Sequence, residues 1–137
     1  RSRQEFARIL RPGGWVALVW NERRGESTAF LRDYEALLQT HGTDYRQVDH
    51  RNIEASPDVL PGFFGGPYQQ VDFDNAQVFD YAGLEGRLLS SSYAPGPGHP
   101  DHEPMLAELR RIFDRHQQGG QVVFEYDTNL YYGWLSD

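Results

Sequence analysis

A chain of 137 residues, 39% hydrophobic and 14% aromatic, is one domain or a large part of one, and is too apolar to be disordered. Its net charge of -7, with no basic stripe, excludes nucleic acid as a general partner. All 13 positive residues are arginine and no cysteine is present, which removes a Walker A loop, a Schiff-base lysine, disulfides, thiolate catalysis and cysteine–zinc sites.

The chain opens in helical wording. Residues 3–10 predict the last part of a helix with Phe6, Ile9 and Leu10 facing inward, and Pro12-Gly13-Gly14 stops it. Trp15–Trp20 is apolar without alternation, which predicts a strand covered on both faces. Ser27 or Thr28 can cap the next helix, where Phe30, Leu31, Tyr34, Leu37 and Leu38 form an amphipathic stripe ended near Gly42. Residues 43–67 are broken by Pro57, Pro61, Gly62, Gly65 and Gly66, with Val59, Leu60, Phe63 and Phe64 docking on the sheet. Tyr68–Phe73 predicts a short strand, and Asp80 a cap for a helix carrying Leu84, Leu88 and Leu89. Residues 94–100 are a Pro-Gly loop. Leu106, Leu109, Ile112, Phe113 and His116 stripe a further helix ended by Gly119-Gly120, and alternation at Val122, Phe124 and Tyr126 opens the last strand, which extends toward Tyr132.

Two segments carry more than secondary structure. Residues 6–23 read FARILRPGGWVALVWNER, and Arg8–Gly14 within them spells R-x-L-x-P-G-G. Far downstream stand FDYAGLEGRLLSSSYAP (79–95), LRRIFDRH (109–116) and VVFEYDTNLYY (122–132). The first resembles the turn and fifth strand of class I S-adenosylmethionine-dependent methyltransferases, and the others resemble the C-terminal part of the small-molecule branch of that family. The resemblance covers most of the chain. It implies an α/β fold, the C-terminal portion of a Rossmann-like seven-stranded methyltransferase sheet, with strands five, six and seven and their flanking helices over residues 1–137. The last strand would lie antiparallel between the other two. Trp15–Trp20 would lack its usual fourth-strand neighbour, and an unpaired apolar edge invites another chain, so a homodimer is expected.

The cofactor half of that family is not in this wording. No G-x-G-x-x-G follows an apolar strand, and Gly62, Gly65, Gly66, Gly96 and Gly98 sit in Pro- and Phe-rich loops. The mean hydropathy of -0.68 is low for an α/β core, as it would be without the central strands. With Arg1 inside a helix and Met105 the only methionine, the chain is expected to be the C-terminal piece of a longer methyltransferase. S-adenosyl-L-methionine would serve that parent and is not expected to bind this piece; a small-molecule methyl acceptor is the implied partner. No apolar run approaches the ~20 residues needed to span a bilayer and no signal peptide is visible, so no membrane partner is expected and the cytoplasm is the default location.

Methyl transfer draws much of its acceleration from alignment, so it needs no diagnostic dyad, and no catalytic residue is assigned. Ligands of open α/β sheets gather at the carboxyl ends of the parallel strands, which puts Trp20, Asn21 and Glu22 on the substrate side; the alternative is a polar strand end before a helix cap. Arg87, Ser90, Ser92 and Tyr93 either contact the acceptor or, for the serines, satisfy the last carbonyls of their helix. Tyr126, Tyr131 and Tyr132 present phenols to a pocket or pack as ordinary strand aromatics. His99-x-x-His102 beside Asp101 and Glu103 has the look of a metal site, but Pro100, Pro104 and the following helix point to an acidic N-terminal cap region, and no metal is expected. No G-x-S-x-G elbow exists. Two alternatives to the methyltransferase stay open: a nucleotide-dependent Rossmann-like oxidoreductase, and a non-enzymatic dimerising module derived from a methyltransferase.

Overall fold

The Pro-Gly-Gly turn governs the start of the chain. In a computed structural model, which describes residues 1–45 and 58–136, helix α1 (Ser2–Ile9) closes on Leu10, whose amide donates to the Phe6 carbonyl at 3.0 Å. The Gly14 amide then donates to the Arg11 carbonyl at 2.8 Å. This turn needs Gly13 in the left-handed region (φ 74°), and a Cβ on Gly14 would stand 2.9 Å from the Arg11 oxygen. The chain leaves it as strand β1 (Trp15–Arg23).

Helix α2 (Ala29–His41) starts where Thr28 Oγ1 accepts from the Leu31 amide at 3.2 Å, and it buries all five residues of its expected stripe. Gly42 caps its end. Helix α3 (Val59–Phe64) buries Phe64, packs Leu60 and Phe63 partly, and leaves Val59 exposed; Pro57, expected to break this stretch, lies outside the described residues. Strand β2 (Tyr68–Phe79) leads to helix α4 (Tyr81–Leu89), capped by Asp80 Oδ1 accepting from the Gly83 amide at 2.8 Å. Helix α5 (His102–His116) tolerates Pro104 in its first turn, where no intrahelical donor is lost. Strand β3 (Val122–Trp134) follows the tight Gln118–Gln121 bridge.

The fold is mixed α/β, with one three-stranded antiparallel sheet in the order β1-β3-β2. The register follows from paired positions: the Trp15 ring lies against that of Trp134, Asn21 meets Thr128, and the Arg24 amide donates to the Glu125 carbonyl at 2.9 Å, one number rising as the other falls. The last strand lies antiparallel between the other two, as expected.

Several expectations need correction. β1 is not covered on both faces: Val16 is 4% exposed, whereas Trp15 is 54% and Val19 60% exposed. It is an edge strand of an antiparallel sheet, in which one face is commonly left to solvent. Ile9 is exposed, since Phe6 and Leu10, four apart, carry the inward contacts of α1, and Leu89 is exposed at the end of α4. β2 runs six residues past Phe73, because ladder pairing outweighs the turn preference of Asp74 and Asn75.

The chain divides into two compact units. Among described residues, one comprises Arg1–Glu22, 58–74 and 127–136. Its core is Val16, Phe64 and Tyr131, surrounded by partly buried Phe6, Leu10, Leu18, Trp20 and Tyr68. The other comprises 23–45 and Asn75–Tyr126. It is built on Leu31, Tyr34 and Leu38 of α2, Leu84 and Leu88 of α4, Leu109 and Ile112 of α5, and Val122, Phe124 and Tyr126 of β3. Buried positions in β3 are even-numbered through Tyr126 and odd-numbered from Asn129. No described helix is long and apolar enough to cross a membrane.

Candidate functional site

The residues singled out from the sequence fall in both units. At the carboxyl end of β1, alternation sends Trp20 and Glu22 to one side and Asn21 to the other. Trp20 packs edge-on against Tyr131 with ring centroids 5.4 Å apart, inside the core of its unit. Asn21 is exposed, and its Oδ1 accepts from Thr128 Oγ1 at 2.7 Å. Glu22 Oε2 accepts from Nδ2 of the buried Asn129 at 3.3 Å. These are cross-strand pairs that fix the register of β1 on β3. Among the three, only Asn21 presents an exposed polar side chain.

In the second unit the end of α4 carries the other group. Ser90 Oγ donates to the Arg87 carbonyl at 2.8 Å and Ser91 Oγ to the same carbonyl at 3.3 Å, so these hydroxyls satisfy a carbonyl of the last helical turn. Ser92 is exposed. Tyr93 is half-buried, with its ring edge-on to Tyr45 at 4.9 Å and its carbonyl accepting from the Thr43 amide at 2.8 Å. Arg87 turns back over the unit: Nη1 donates to Ser91 Oγ at 3.2 Å and Nε to the Tyr126 hydroxyl at 3.5 Å. Burial opposes its charge, but the Tyr126 hydrogen bond and the fields of Tyr126, Tyr34 and Tyr93 offset this and leave its pKa raised.

Sequence reasoning missed the most strongly constrained polar group. Arg23 Nη2 donates to Glu35 Oε2 at 2.5 Å, and the Tyr45 hydroxyl donates to both Glu35 oxygens at 2.8 Å. The Arg23 and Glu35 side chains are only 11% and 10% exposed. Glu35 lies four residues after Leu31 and three before Leu38, on the buried side of α2. A carboxylate at that position was the available signal, since buried charge demands a partner. The Arg23 guanidinium also lies 5.1 Å from the centroid of the Tyr34 ring. Two atoms here are buried without any partner: Arg23 Nη1 and the Tyr34 hydroxyl. Burial pushes the Tyr34 phenol up, so it stays protonated and can donate. Each such orphan costs on the order of 1–3 kcal/mol.

The second unit therefore offers an arginine–tyrosine cluster with more donors than acceptors. The first contains a cleft of about 370 Å³ between Arg3, Leu10, Gly14 and Ser136, at the amino end of β1, the opposite end from Asn21. A second cleft of about 370 Å³ lies in the other unit, lined by Phe30, Val78, His116 and Val122. The His102 ring is occupied structurally, with its Nδ1–H donating to the Pro95 carbonyl at 2.8 Å, and His99 Nδ1 accepts from the Asp101 amide at 3.1 Å. Among the described residues no group of three or more His, Cys, Asp or Glu could hold a metal ion.

No protein-family model, no curated protein and no solved structure matches the chain.

Proposed function

We propose that this chain is the acceptor-side part of an S-adenosylmethionine-dependent methyltransferase that acts on a small molecule in the cytoplasm. The observation that carries this is the strand order. A helix stopped by Pro12-Gly13-Gly14 feeds an edge strand, and the chain's last strand lies antiparallel between that strand and the next. That is the order implied for strands five, seven and six by the motifs at 8–14 and 79–132.

Gly13 and Gly14 do not fit the cofactor cradle of that family. A nucleotide cradle places its glycines after a strand and before a helix, so that backbone amides at the helix start face the ligand. Gly13 and Gly14 have the reverse order, leaving α1 and entering β1. The part left to this chain is holding an acceptor: Asn21 at the carboxyl end of β1 is one candidate, and the Arg87–Tyr126–Tyr93 cluster, in the other unit, is another. Holding the acceptor in line with a methyl donor is where such a reaction gains most.

Incubating the complete encoded protein with methyl-tritiated S-adenosylmethionine and small phenols, carboxylic acids and amines tests the proposal. Label should pass to one of these classes, and Asn21→Ala should lower that rate more than it lowers the melting temperature. Absence of transfer to every class would overturn it. A second reading, a non-enzymatic dimerising module, is favoured by the exposed pair Trp15 and Trp134, whose rings lie 4.2 Å apart, with the partly buried Tyr132 ring 5.9 Å from Trp15. No observation favours an oxidoreductase.

A further inference from the structure

We propose that the cleft at the amino end of β1 binds a small organic phosphate monoester, with the guanidiniums of Arg3 and Arg11 holding its phosphoryl oxygens. The inference goes beyond the acceptor assignment and does not rest on it, since this cleft lies at the opposite end of β1 from Asn21.

Shape comes first. The cleft holds about 370 Å³, at the lower end of the range of small-molecule sites. Small residues keep it open: Ala7 stands four residues after Arg3 on α1, hence on the same face, and Gly13 and Gly14 place no side chain in it. The opposite wall, Leu135 and Ser136, is fixed from two directions. The Ser136 amide donates to the Phe64 carbonyl at 2.9 Å, and Arg3 Nη2 donates to the Ser136 carbonyl. Two further glycines permit this approach: a Cβ on Gly65 would stand 3.0 Å from Arg3 Nη2, and one on Gly66 would overlap Ser136 Oγ. The Arg3 head group is therefore held at the cleft before any ligand arrives, which lowers the ordering cost of binding.

Charge then selects the ligand. Arg3 and Arg11 are the charged residues among the described ones that line the cleft, and no carboxylate accompanies them. Glu5, the acid of α1, is taken by Arg8 at 2.5 Å, and neither belongs to the lining. Arg3 spends one N–H on a neutral carbonyl, and the Arg11 guanidinium makes no hydrogen bond or ion pair among the described residues, so most of their donors remain for a ligand. Two cations match the nearly double negative charge of a phosphate monoester at neutral pH, and each planar fork of donors fits a pair of its oxygens. A single carboxylate would leave one cation uncompensated. Leu10 and Leu135 supply an apolar side for a small organic body. With an overall charge of -7 the chain offers a dianion little diffuse attraction, so binding depends on this local pair.

Phenyl phosphate titrated into the chain at neutral pH, followed by calorimetry and by melting temperature, tests this without methyl donor or turnover, so its outcome is independent of the methyl-transfer assay. Saturable binding and a raised melting temperature are expected. Benzoate should bind more weakly, and sodium chloride of equal ionic strength should not raise the melting temperature. Arg11→Gln should weaken binding about ten-fold or more, the loss of one charge-assisted contact. Ala7→Leu fills the cleft without changing its charge and should weaken binding comparably. Arg8→Gln removes the same charge from α1 outside the cleft and should leave the affinity nearly unchanged. Arg11, Ala7 and Arg8 are all exposed, so the three variants should fold, which circular dichroism checks. Equal losses in Arg8→Gln and Arg11→Gln, undiminished binding in Ala7→Leu, tighter binding of benzoate than of phenyl phosphate, or no saturation at millimolar concentration would overturn the proposal.

Discussion

Replacing Glu35 with glutamine removes one charge from a buried pair and leaves the other in place. Arg23 would keep its low-exposure position, with a Nη1 that already has no partner, and would lose the carboxylate oxygen 2.5 Å from Nη2. Breaking a buried ion pair on one side costs about 3–5 kcal/mol. Glutamine still offers one oxygen to the Tyr45 hydroxyl, which now donates at 2.8 Å to both carboxylate oxygens, so the lower half of that range is expected. Against the roughly 5–15 kcal/mol that holds a typical domain together, this is a large fraction. Removing both charges should cost less than removing one, because no uncompensated cation remains. Urea unfolding of Glu35→Gln, Arg23→Met and the double variant, read by tryptophan fluorescence, gives a double-mutant cycle. A coupling of about 2 kcal/mol or more is expected. A cost below about 1 kcal/mol for Glu35→Gln, or strictly additive single costs, would refute the assignment of this pair as a buried, mutually dependent unit.

Asp33 on α2 holds α5 through His116 Nε2 at 2.6 Å and Arg115 Nη1 at 3.0 Å. The His116 hydrogen bond holds its carboxyl below the ordinary value, against the opposing effect of burial, and Arg115 adds to the lowering. A depressed carboxyl contributes stability above its unfolded value near 4 and loses it as pH falls through the lower folded value. Asp33→Asn, at a partly exposed site, should cost about 0.5–1 kcal/mol at pH 7, with the gap from the parent closing below pH ~4; a gap that persists unchanged in acid urea titrations would contradict this. The chain should also self-associate through the apolar surface of Trp15, Val19 and Trp134, giving a two-chain mass in light scattering that rises with concentration. Trp15→Arg should return it to one chain, and a one-chain mass for the parent at millimolar concentration would exclude the interface.

The parts of the fold legible in the sequence are those set by local physics. The stripe of α2, its Thr28 cap and the Pro-Gly-Gly stop follow from a 3.6-residue period, an orphan amide and a left-handed glycine, none of which needs a distant partner. The edge position of β1 was expected from the family resemblance, but its exposed face was not legible, because Trp15–Trp20 reads as a buried strand whether or not cover is present. The change of buried positions in β3 after Tyr126 was hidden by a run in which tyrosines and leucine suit either face. The Arg23–Glu35–Tyr45 group was missed because Glu35 was passed over between two inward-facing leucines, although a carboxylate there is a sign of buried pairing. At the candidate site the sequence picked out Arg87 and Tyr93 and named Tyr126 as either a pocket phenol or an ordinary strand aromatic, and the structure brings the Tyr126 hydroxyl to Arg87. It did not point to the unpartnered Tyr34 hydroxyl, which looked like one more ring in the stripe.

Calorimetric titration of S-adenosylmethionine into this chain and into the complete encoded protein tests the methyltransferase assignment most directly. Binding by the complete protein with micromolar affinity, and none by the chain alone, is the expected result. Micromolar binding by the chain alone would contradict the proposal that its glycines do not form the cofactor cradle, and absence of binding by the complete protein would contradict the methyltransferase assignment itself.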